Sequence, residues 1–164
     1  MPRLMSVALT TDQVRARTKF VTRRVGWRML KAGDQLTLCP KVRGRRNGEV
    51  LERIVTVDVV SARRERLDTI TASDVTAEGF PGRTPEWFVG FFCDTHQGVS
   101  PGDEVTRIEW AYPRICRSCG CTEYSACVTL TGPCAWWSIY EDNTGLCTSC
   151  PLPVAANSTR MVVL

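Results

Sequence analysis

A cysteine-dense segment constrains this chain more than any other feature. Seven cysteines lie between residues 116 and 150, in the stretch CRSCGCTEYSACVTLTGPCAWWSIYEDNTGLCTSC. Two pairs with a two-residue gap stand at its ends, Cys116 with Cys119 and Cys147 with Cys150. Because each pair can present two thiolates from one tight turn, two pairs supply the four ligands of a tetrahedral metal ion. Bound metal commonly folds a segment too short to build an adequate apolar core. The sequence therefore predicts a small metal-stapled segment.

Three further cysteines, Cys121, Cys127 and Cys134, lie between these pairs, and the segment contains no histidine. They could complete a second zinc site that shares a bridging thiolate, or all seven thiolates could hold an iron–sulfur cluster. One or two could instead be small buried apolar residues. We expect zinc, as one or two ions, with iron–sulfur as the alternative. Cys39 and Cys93 stand apart and are expected in the core of the preceding domain.

The length of 164 residues gives room for one core-bearing domain and a small appendage. No run approaches the roughly 18 apolar residues of a membrane span, and the opening MPRLMSVALT has too short an apolar stretch for a signal peptide. We therefore expect no membrane association and a cytoplasmic location. In that reducing compartment, clustered cysteines are metal ligands or redox groups more often than disulfides.

Charge is distributed unevenly along the chain. Residues 1–66 contain 16 Lys and Arg against 6 Asp and Glu, whereas residues 67–113 contain 2 against 8. Residues 114–164 are balanced, with 3 against 3. Basic clusters in the first part read VRARTKFVTRR, KVRGRR and SARRER. Such density favours a phosphate-bearing partner, although each cluster alone could be a solvated face.

The pattern of apolar and turn residues predicts an α+β, mainly β domain over residues 1–113, followed by the cysteine-rich tail over residues 114–164. Strands are expected in RLMSVAL, KFVTRR, DQLTL, ERIVTVDVVSARRERL and EVTRIEWAYP, and short helices in TTDQVRAR, TASDVTAEGF and TPEWFVGFF. Thr11 or Asp12 is predicted to cap the first helix. Thr84 is predicted to cap the last, with Pro85 as its first residue. Asn47-Gly48 is a hairpin dipeptide and is expected to join two of the strands.

Several of these stretches resemble the ASCH domain family. They are RARTKFVTRRVGWRMLKAGDQLTL, ITASDVTAEGFPGRTPEWFVGFF and EVTRIEWAYP, which share the KxxTRR stretch, the GD turn, the EGF after a short helix and the closing strand with that family, in the same order. The resemblance covers roughly residues 4–113. It implies a small β-barrel related to the PUA fold. The chain is similar to the versions of this domain in phage and prophage genomes, to which a cysteine-rich tail can be appended. Proteins of that kind would act in the cytoplasm of a bacterial host.

The resemblance also implies an RNA-related function. Most members are inferred to bind RNA, and a branch of small proteins hydrolyses the amide of N4-acetylcytidine with a lysine base, a threonine nucleophile and an assisting glutamate. Matched by motif, these positions are Lys19, Thr22 and Glu78, and Arg24 matches a basic residue of the same motif. The chain departs from that branch in two respects. It lacks the glycine before the basic pair, and it carries the cysteine-rich tail.

The residue types alone are also compatible with a threonine nucleophile and a lysine base. A threonine hydroxyl is a weak nucleophile unless a base removes its proton, and a lysine serves as that base when desolvation or cationic neighbours lower its pKa. Lys19 has such neighbours in sequence. The same residues could instead form a phosphate-binding groove. The predicted nucleic-acid contacts are Arg15, Arg17, Lys19, Arg23, Arg24 and Trp27.

The amino-acid sequence leaves three functions open. The first expectation is a module that binds RNA or a modified nucleotide and carries a structural zinc tail. The alternative is an amidohydrolase acting on N4-acetylcytidine-like nucleosides, and a further alternative is a phage adaptor whose tail binds a host protein. Trp136, Trp137 and Tyr140 either pack over the metal or stack on bases. His96 is expected at the surface near a helix end, with no catalytic part.

Overall fold

The computed structural model describes residues 1–151, so the last 13 residues of the predicted tail, 152–164, lie outside the described residues. The chain divides into two compact units, with Tyr112 ending the first and Pro113 beginning the second. The described residues are mainly β, with 32% in strands and 19% in helices. Among them, no helix is both long and apolar enough to cross a bilayer.

The first unit is built on a five-stranded sheet that curls into a half-barrel. The strand order is β1-β3-β4-β5-β2; β1 runs parallel to β3, and every other neighbouring pair is antiparallel. The strands are β1 (Arg3–Ser6), β2 (Val21–Arg24), β3 (Gln35–Cys39), β4 (Val55–Arg66) and β5 (Glu104–Ala111). Each of these strands overlaps a stretch for which the sequence predicted one.

Strand β4 organises the sheet because it is long and pairs on both sides. Its first half alternates, so that Val57 and Val59 point into the main core beside Leu36 and Ile108. The register with β5 shifts between Val59 and Ser61, where a bulge bends the strand. The second half of β4 is rich in charged residues and pairs with β5 as far as Arg66 with Glu104. Cys39 is fully buried at the end of β3, as expected.

Three helices accompany the sheet: α1 (Thr11–Arg15), α2 (Ala72–Ala77) and α3 (Pro85–Thr95). The predicted start of α3 is confirmed, since the Thr84 hydroxyl accepts a hydrogen bond from the Trp87 amide at 3.2 Å and Pro85 is the first helical residue. The predicted cap of α1 is wrong. Thr10 precedes that helix, because a 3₁₀ turn over Ala8–Thr10 leads straight into it. The Thr11 hydroxyl instead donates to the Val7 carbonyl.

The loop containing Asn47-Gly48 also differs from the expectation. Strands β3 and β4 pair from Gln35 with Asp58 to Leu38 with Val55, so a connection of residues 40–54 separates them. Gly48 adopts a φ of 83° in a local turn, in which the Glu49 amide donates to the Arg46 carbonyl. The flanking residues are mostly charged and do not alternate, so no ladder extends from this turn to make it a hairpin.

A second apolar cluster lies between the helices and the sheet. Its buried members are Leu67, Ile70, Val75, Phe88, Phe92 and Val105, and Cys93 packs against it. This cluster fixes α3 and the C-terminal end of α2. The Phe20 amide donates to the Ala77 carbonyl at 2.8 Å, which ties the end of α2 to the residue before β2. The charged residues of β2 and the residue after α2 are thereby brought together.

The second unit consists of short strands around the cysteines. They are β6 (Ile115–Cys116), β7 (Val128–Thr129), β8 (Gly132–Pro133), β9 (Trp136–Ile139) and β10 (Thr144–Cys147). Its buried cluster contains Cys116, Cys121, Leu146 and Cys147, with other cysteines, Trp136 and Tyr140 packed around them. Leucine 146 is the one aliphatic side chain in that buried cluster of the described residues, so the unit has little apolar core of its own.

Candidate active-site pocket and cysteine cluster

The first unit contains a cavity of about 210 Å³ between β2, the end of α2 and α3. Its polar wall includes Lys19, Thr22, Arg23, Arg24 and Glu78. Its apolar wall includes Phe80, Phe88, Phe91 and Phe92. The three residues that the family resemblance assigns to catalysis, Lys19, Thr22 and Glu78, therefore line one cavity although they come from different parts of the chain.

A buried ion pair joins Lys19 and Glu78. The Lys19 Nζ donates to Glu78 Oε2 and to the Glu78 backbone carbonyl, both at 2.7 Å. The two side chains are 2% and 3% exposed. Burial lowers the pKa of Lys19 because the charged ammonium loses water; the carboxylate of Glu78 opposes this effect, and the Arg24 and Arg23 charges add to it. Burial and the two arginine charges thus favour the neutral amine of Lys19, and the Glu78 carboxylate favours its ammonium form.

Glycine 79 allows Glu78 to take this position. Glu78 ends α2, and Gly79 follows with a φ of 94°, a conformation that favours glycine. A Cβ at residue 79 would lie 3.0 Å from Cβ and Cγ of Gln13. The Gln13 amide nitrogen donates to the Gly79 carbonyl at 3.3 Å. The EG pair is therefore required for the close approach of the helix end to α1.

Threonine 22 lies in β2 opposite Ile108 of β5 and is 4% exposed. Threonine is common in strands, so its place in the sheet needs no functional explanation. It lines the cavity together with Thr10 and Thr95, whereas Thr37, an equally buried threonine of β3, is not among the lining residues and shares a hydrogen bond with Thr56.

Arginine 23 is enclosed by carboxylates. Its Nη2 lies 2.6 Å from Glu65 and 2.7 Å from Asp74, and its Nη1 lies 3.3 Å from Glu78. Asp74 also pairs with Arg107 at 2.9 Å. These carboxylates thus neutralise the charge of the Arg23 guanidinium, which in turn holds Glu78 in place. Sequence reasoning missed Glu65, Asp74 and Arg107; the available signal was the acidic excess of residues 67–113, because a buried arginine needs carboxylates.

Arg24, like Arg23, keeps an unused donor at its Nε. Its Nη2 donates to the Ser6 carbonyl, but its Nε is buried without a hydrogen-bond partner among residues 1–151. Burial lowers the pKa of Arg24, and the Glu78 carboxylate opposes the shift. A buried N–H without a partner is unfavourable, so the position of this guanidinium lowers stability.

The other predicted nucleic-acid contacts lie outside the cavity wall. Arg15 pairs with Glu52 at 2.7 Å on the surface. The Arg17 guanidinium lies 5.3 Å from the centre of the Tyr112 ring. Trp27 packs against the main core. The structure therefore brings Lys19, Arg23 and Arg24 together and leaves Arg15, Arg17 and Trp27 elsewhere.

Histidine 96 is not the surface residue that the sequence predicted. It does stand at the end of α3, but it is half-buried and lines the cavity, with its ring stacked on Phe92 at 4.1 Å between centroids. Sequence reasoning also missed the aromatic wall. The signal was present in WFVGFF, where Phe88, Phe91 and Phe92 recur at helical spacing.

Many basic residues of the first half pair with carboxylates of the same unit. Arg64 pairs with Glu104 at 3.1 Å, and Arg66 with Asp68 at 2.6 Å. The charge asymmetry along the sequence is thus partly compensated in space. The loop residues Lys41, Arg43, Arg45 and Arg46 remain exposed.

The seven cysteines of the second unit are grouped as a metal site requires. Cys116, Cys119, Cys147 and Cys150 place their sulfurs within 4.8 Å of one another, and so do Cys119, Cys121, Cys127 and Cys147. Cys134 completes the cluster, 3.7 Å from Cys121. The prediction that the two end pairs converge is confirmed, and the group could hold a metal ion.

The three aromatic residues of the tail differ in whether they pack against the cysteines or remain exposed for stacking. Trp136 and Tyr140 pack against the cysteine cluster. The Arg117 guanidinium stacks on Tyr140 at 3.7 Å. Trp137 is 52% exposed, so it is the one of the three with a face for another molecule.

Comparisons of the chain with models of protein families, with curated proteins and with solved structures found no match.

Proposed function

We propose that the first unit is an amidohydrolase that removes an acyl group from the exocyclic amine of a cytosine-type base, as its resemblance to the ASCH family suggests. One observation carries the proposal. Lys19, Thr22 and Glu78 line one small cavity, and Lys19 is fully desolvated against Glu78. The expectation of simple RNA binding requires no such arrangement, because a phosphate contact needs a charged and accessible lysine.

The hydrogen bonds of Lys19 suit a base. A neutral amine has two hydrogen atoms and one lone pair. The two oxygens of Glu78 that lie 2.7 Å from Nζ would take the two hydrogens, which leaves the lone pair to accept a proton. Glu78 thereby orients Lys19, and Arg23 holds Glu78.

The reaction follows from these roles. Lys19 removes the Thr22 hydroxyl proton as Oγ1 attacks the amide carbon, and the tetrahedral intermediate expels the amine, which takes the proton from Lys19. Water then hydrolyses the threonine ester with Lys19 again as base, releasing a carboxylic acid and restoring Thr22. The Arg24 guanidinium, which lines the cavity, would donate to an oxygen of the substrate.

The cavity limits the substrate to a small group. At about 210 Å³ it is smaller than the roughly 300–1,000 Å³ of pockets for drug-sized ligands. That volume favours a single base and its acyl group over a stretch of polynucleotide. The wall of Phe80, Phe91 and His96 supplies aromatic faces against which a flat base can stack.

The test is deacetylation of N4-acetylcytidine by the purified protein, followed by chromatography. We expect turnover in the wild type and a loss of about 10³-fold or more in Thr22→Ala, because the nucleophile is removed. Thr37→Ala is the matched control, since it removes a buried threonine of β3 outside the cavity wall. Wild-type turnover no higher than that of Thr22→Ala would exclude this substrate.

RNA or nucleotide binding without hydrolysis is the second candidate. It is favoured by the exposed basic loop of Lys41, Arg43, Arg45 and Arg46. Binding through that loop should weaken steeply with salt, with a slope of about −0.7 per neutralised phosphate in a plot of log affinity against log salt for single strands. Substituting these four residues with alanine would then flatten the slope, whereas hydrolysis of a free nucleoside would be unchanged. A host-protein partner and a phage origin remain expectations from the sequence.

For the second unit we propose zinc as a structural metal. Four thiolates on one zinc with bonds of about 2.3 Å lie about 3.8 Å apart at tetrahedral angles. The shortest sulfur–sulfur contacts are 3.6 to 3.8 Å, and the four sulfurs of each group lie within 4.8 Å of one another. In a four-iron cluster each thiolate binds a different iron, so its sulfurs would be held farther apart than four ligands of one ion. The observed separations therefore favour thiolates that bind the same zinc ion over thiolates that bind different irons of a cluster.

A further inference from the structure

The sulfurs of the second unit form two overlapping groups of four, Cys116, Cys119, Cys147 and Cys150, and Cys119, Cys121, Cys127 and Cys147. The seventh sulfur, that of Cys134, lies 3.7 Å from Cys121 of the second group. A single zinc binds four thiolates, so three of the seven cysteines would bind no metal. The separation of the Cys121 and Cys134 sulfurs is nevertheless close to that of the ligand sulfurs in the end pairs. Two tetrahedral ions need eight ligand positions. Seven thiolates fill eight positions when one of them binds both ions.

We infer that the second unit holds two metal ions bridged by the Cys119 thiolate. The ligands of the first ion are Cys116, Cys119, Cys147 and Cys150. The ligands of the second ion are Cys119, Cys121, Cys127 and Cys134. This inference is independent of the proposed hydrolase, because it concerns residues of the second unit alone.

The contacts of Cys119 identify it as the bridge. Its Sγ lies 3.6 Å from Cys147 and 3.6 Å from Cys127, one ligand of each ion. Cys147 is the competing choice because it also belongs to both four-sulfur groups. Its shortest sulfur contacts, however, are 3.6 Å to Cys119 and 3.6 Å to Cys150, which both serve the first ion. A Cys147 bridge would leave the contact between Cys119 and Cys127 unexplained.

The backbone supports the second ion as well as the first. The Cys134 amide donates to the Cys127 carbonyl at 2.8 Å, so the β7–β8 hairpin sets its two flanking cysteines side by side. The Cys127 amide in turn donates to the Cys134 sulfur at 3.2 Å. In the first group, the Cys147 amide donates to the Cys116 sulfur at 3.4 Å. Amide donors of this kind stabilise the charge of a thiolate.

The two groups also differ in position along the chain. The end pairs of the first ion belong to turns at Cys116–Cys119 and Cys147–Cys150, where the Gly120 amide bonds the Cys116 carbonyl and the Cys150 amide bonds the Cys147 carbonyl. The ligands of the second ion other than Cys119 lie between these turns. Loss of a ligand in the hairpin should therefore release the second ion and leave the first bound.

The experiment uses the full-length reduced protein loaded with zinc for native mass spectrometry and with ¹¹³Cd for NMR. We expect two ions per chain and two ¹¹³Cd resonances that are coupled through the shared sulfur. Cys134→Ala should retain one ion and one resonance. Cys119→Ala should lose the coupling; if that variant does not fold, ¹H–¹¹³Cd correlations of the wild type should still connect the Cys119 Hβ protons to both ions. One ion per wild-type chain, two uncoupled resonances, or coupling that survives Cys119→Ala and is lost in Cys147→Ala would each overturn the assignment.

Discussion

The Nζ of Lys19 lies 2.7 Å from both the Oε2 and the backbone carbonyl oxygen of Glu78. One residue at the end of α2 thus supplies both acceptors of a lysine that stands just before β2. Because the ammonium is almost completely buried, its interactions with Glu78 replace the water that it loses. Stability and the proposed catalysis therefore depend on the same pair.

Glu78→Gln should destabilise the first unit. The substitution leaves Lys19 buried without a charged partner and removes one carboxylate from Arg23, so the free energy of unfolding should fall by about 3 kcal/mol. Urea denaturation measures the change. Glu52→Gln is the control because it breaks the exposed pair with Arg15 and should leave the midpoint unchanged. Equal midpoints for both variants would contradict the importance of the buried pair.

The titration of Lys19 gives a second prediction. Its pKa in the folded protein lies below the ordinary value of 10.5 because burial disfavours the charged form. The unfolded chain then binds the proton more tightly, so the contribution of Lys19 to stability increases as pH rises from its folded pKa to 10.5. NMR of the ¹³Cε of Lys19 should show the lowered midpoint.

Glu78→Gln should lower this midpoint further, since the carboxylate raises the pKa of Lys19 in the wild type. Lys19→Met should remove the resonance and the accompanying rise in stability. A Lys19 midpoint at or above 10.5 in the folded protein would rule out the lysine as a base in the neutral range.

The strands and the last helix could be predicted from local sequence. Alternation indicated β4 and β5, and Thr84-Pro85 indicated the start of α3, because these signals depend on near neighbours alone. The spacing of Cys116, Cys119, Cys147 and Cys150 likewise predicted their convergence, since a shared metal requires it.

Local sequence does not reveal roles that depend on distant partners. Arg23 is predicted as a phosphate contact, and the carboxylates of Glu65, Asp74 and Glu78, which reach it from other elements, could not be predicted from its neighbours in sequence. The sequence predicts His96 at the surface, because a lone histidine after a helix gives no sign of a neighbouring cavity. Asn47-Gly48 has the composition of a hairpin turn, yet whether a hairpin forms depends on pairing of the flanking strands.

Gly79→Ala should harm the pocket more than an ordinary helix substitution. The new Cβ combines a φ of 94° with contacts of 3.0 Å to Gln13, so we expect a loss of about 1–2 kcal/mol or more in stability and a displaced Glu78. Gly90→Ala is the matched control: residue 90 is exposed within α3, and its Cβ would meet nothing within 4 Å. That change should stabilise the protein by about 0.5–1 kcal/mol. Similar effects of the two variants on the thermal midpoint would show that Gly79 is not required for its conformation.

Removal of metal should unfold the second unit selectively. Residues 113–151 have a small core made mostly of cysteines, so we expect metal binding to supply most of their folding free energy. The first unit has two apolar clusters of its own and no cysteine in a metal group of the described residues. After treatment with a chelator under reducing conditions, hydrogen exchange should lose protection at Leu146 and Cys147 and keep it at Leu38 and Ile108. Readdition of zinc should restore protection. Protection at Leu146 that persists in metal-free protein would show that the cysteine cluster folds without an ion.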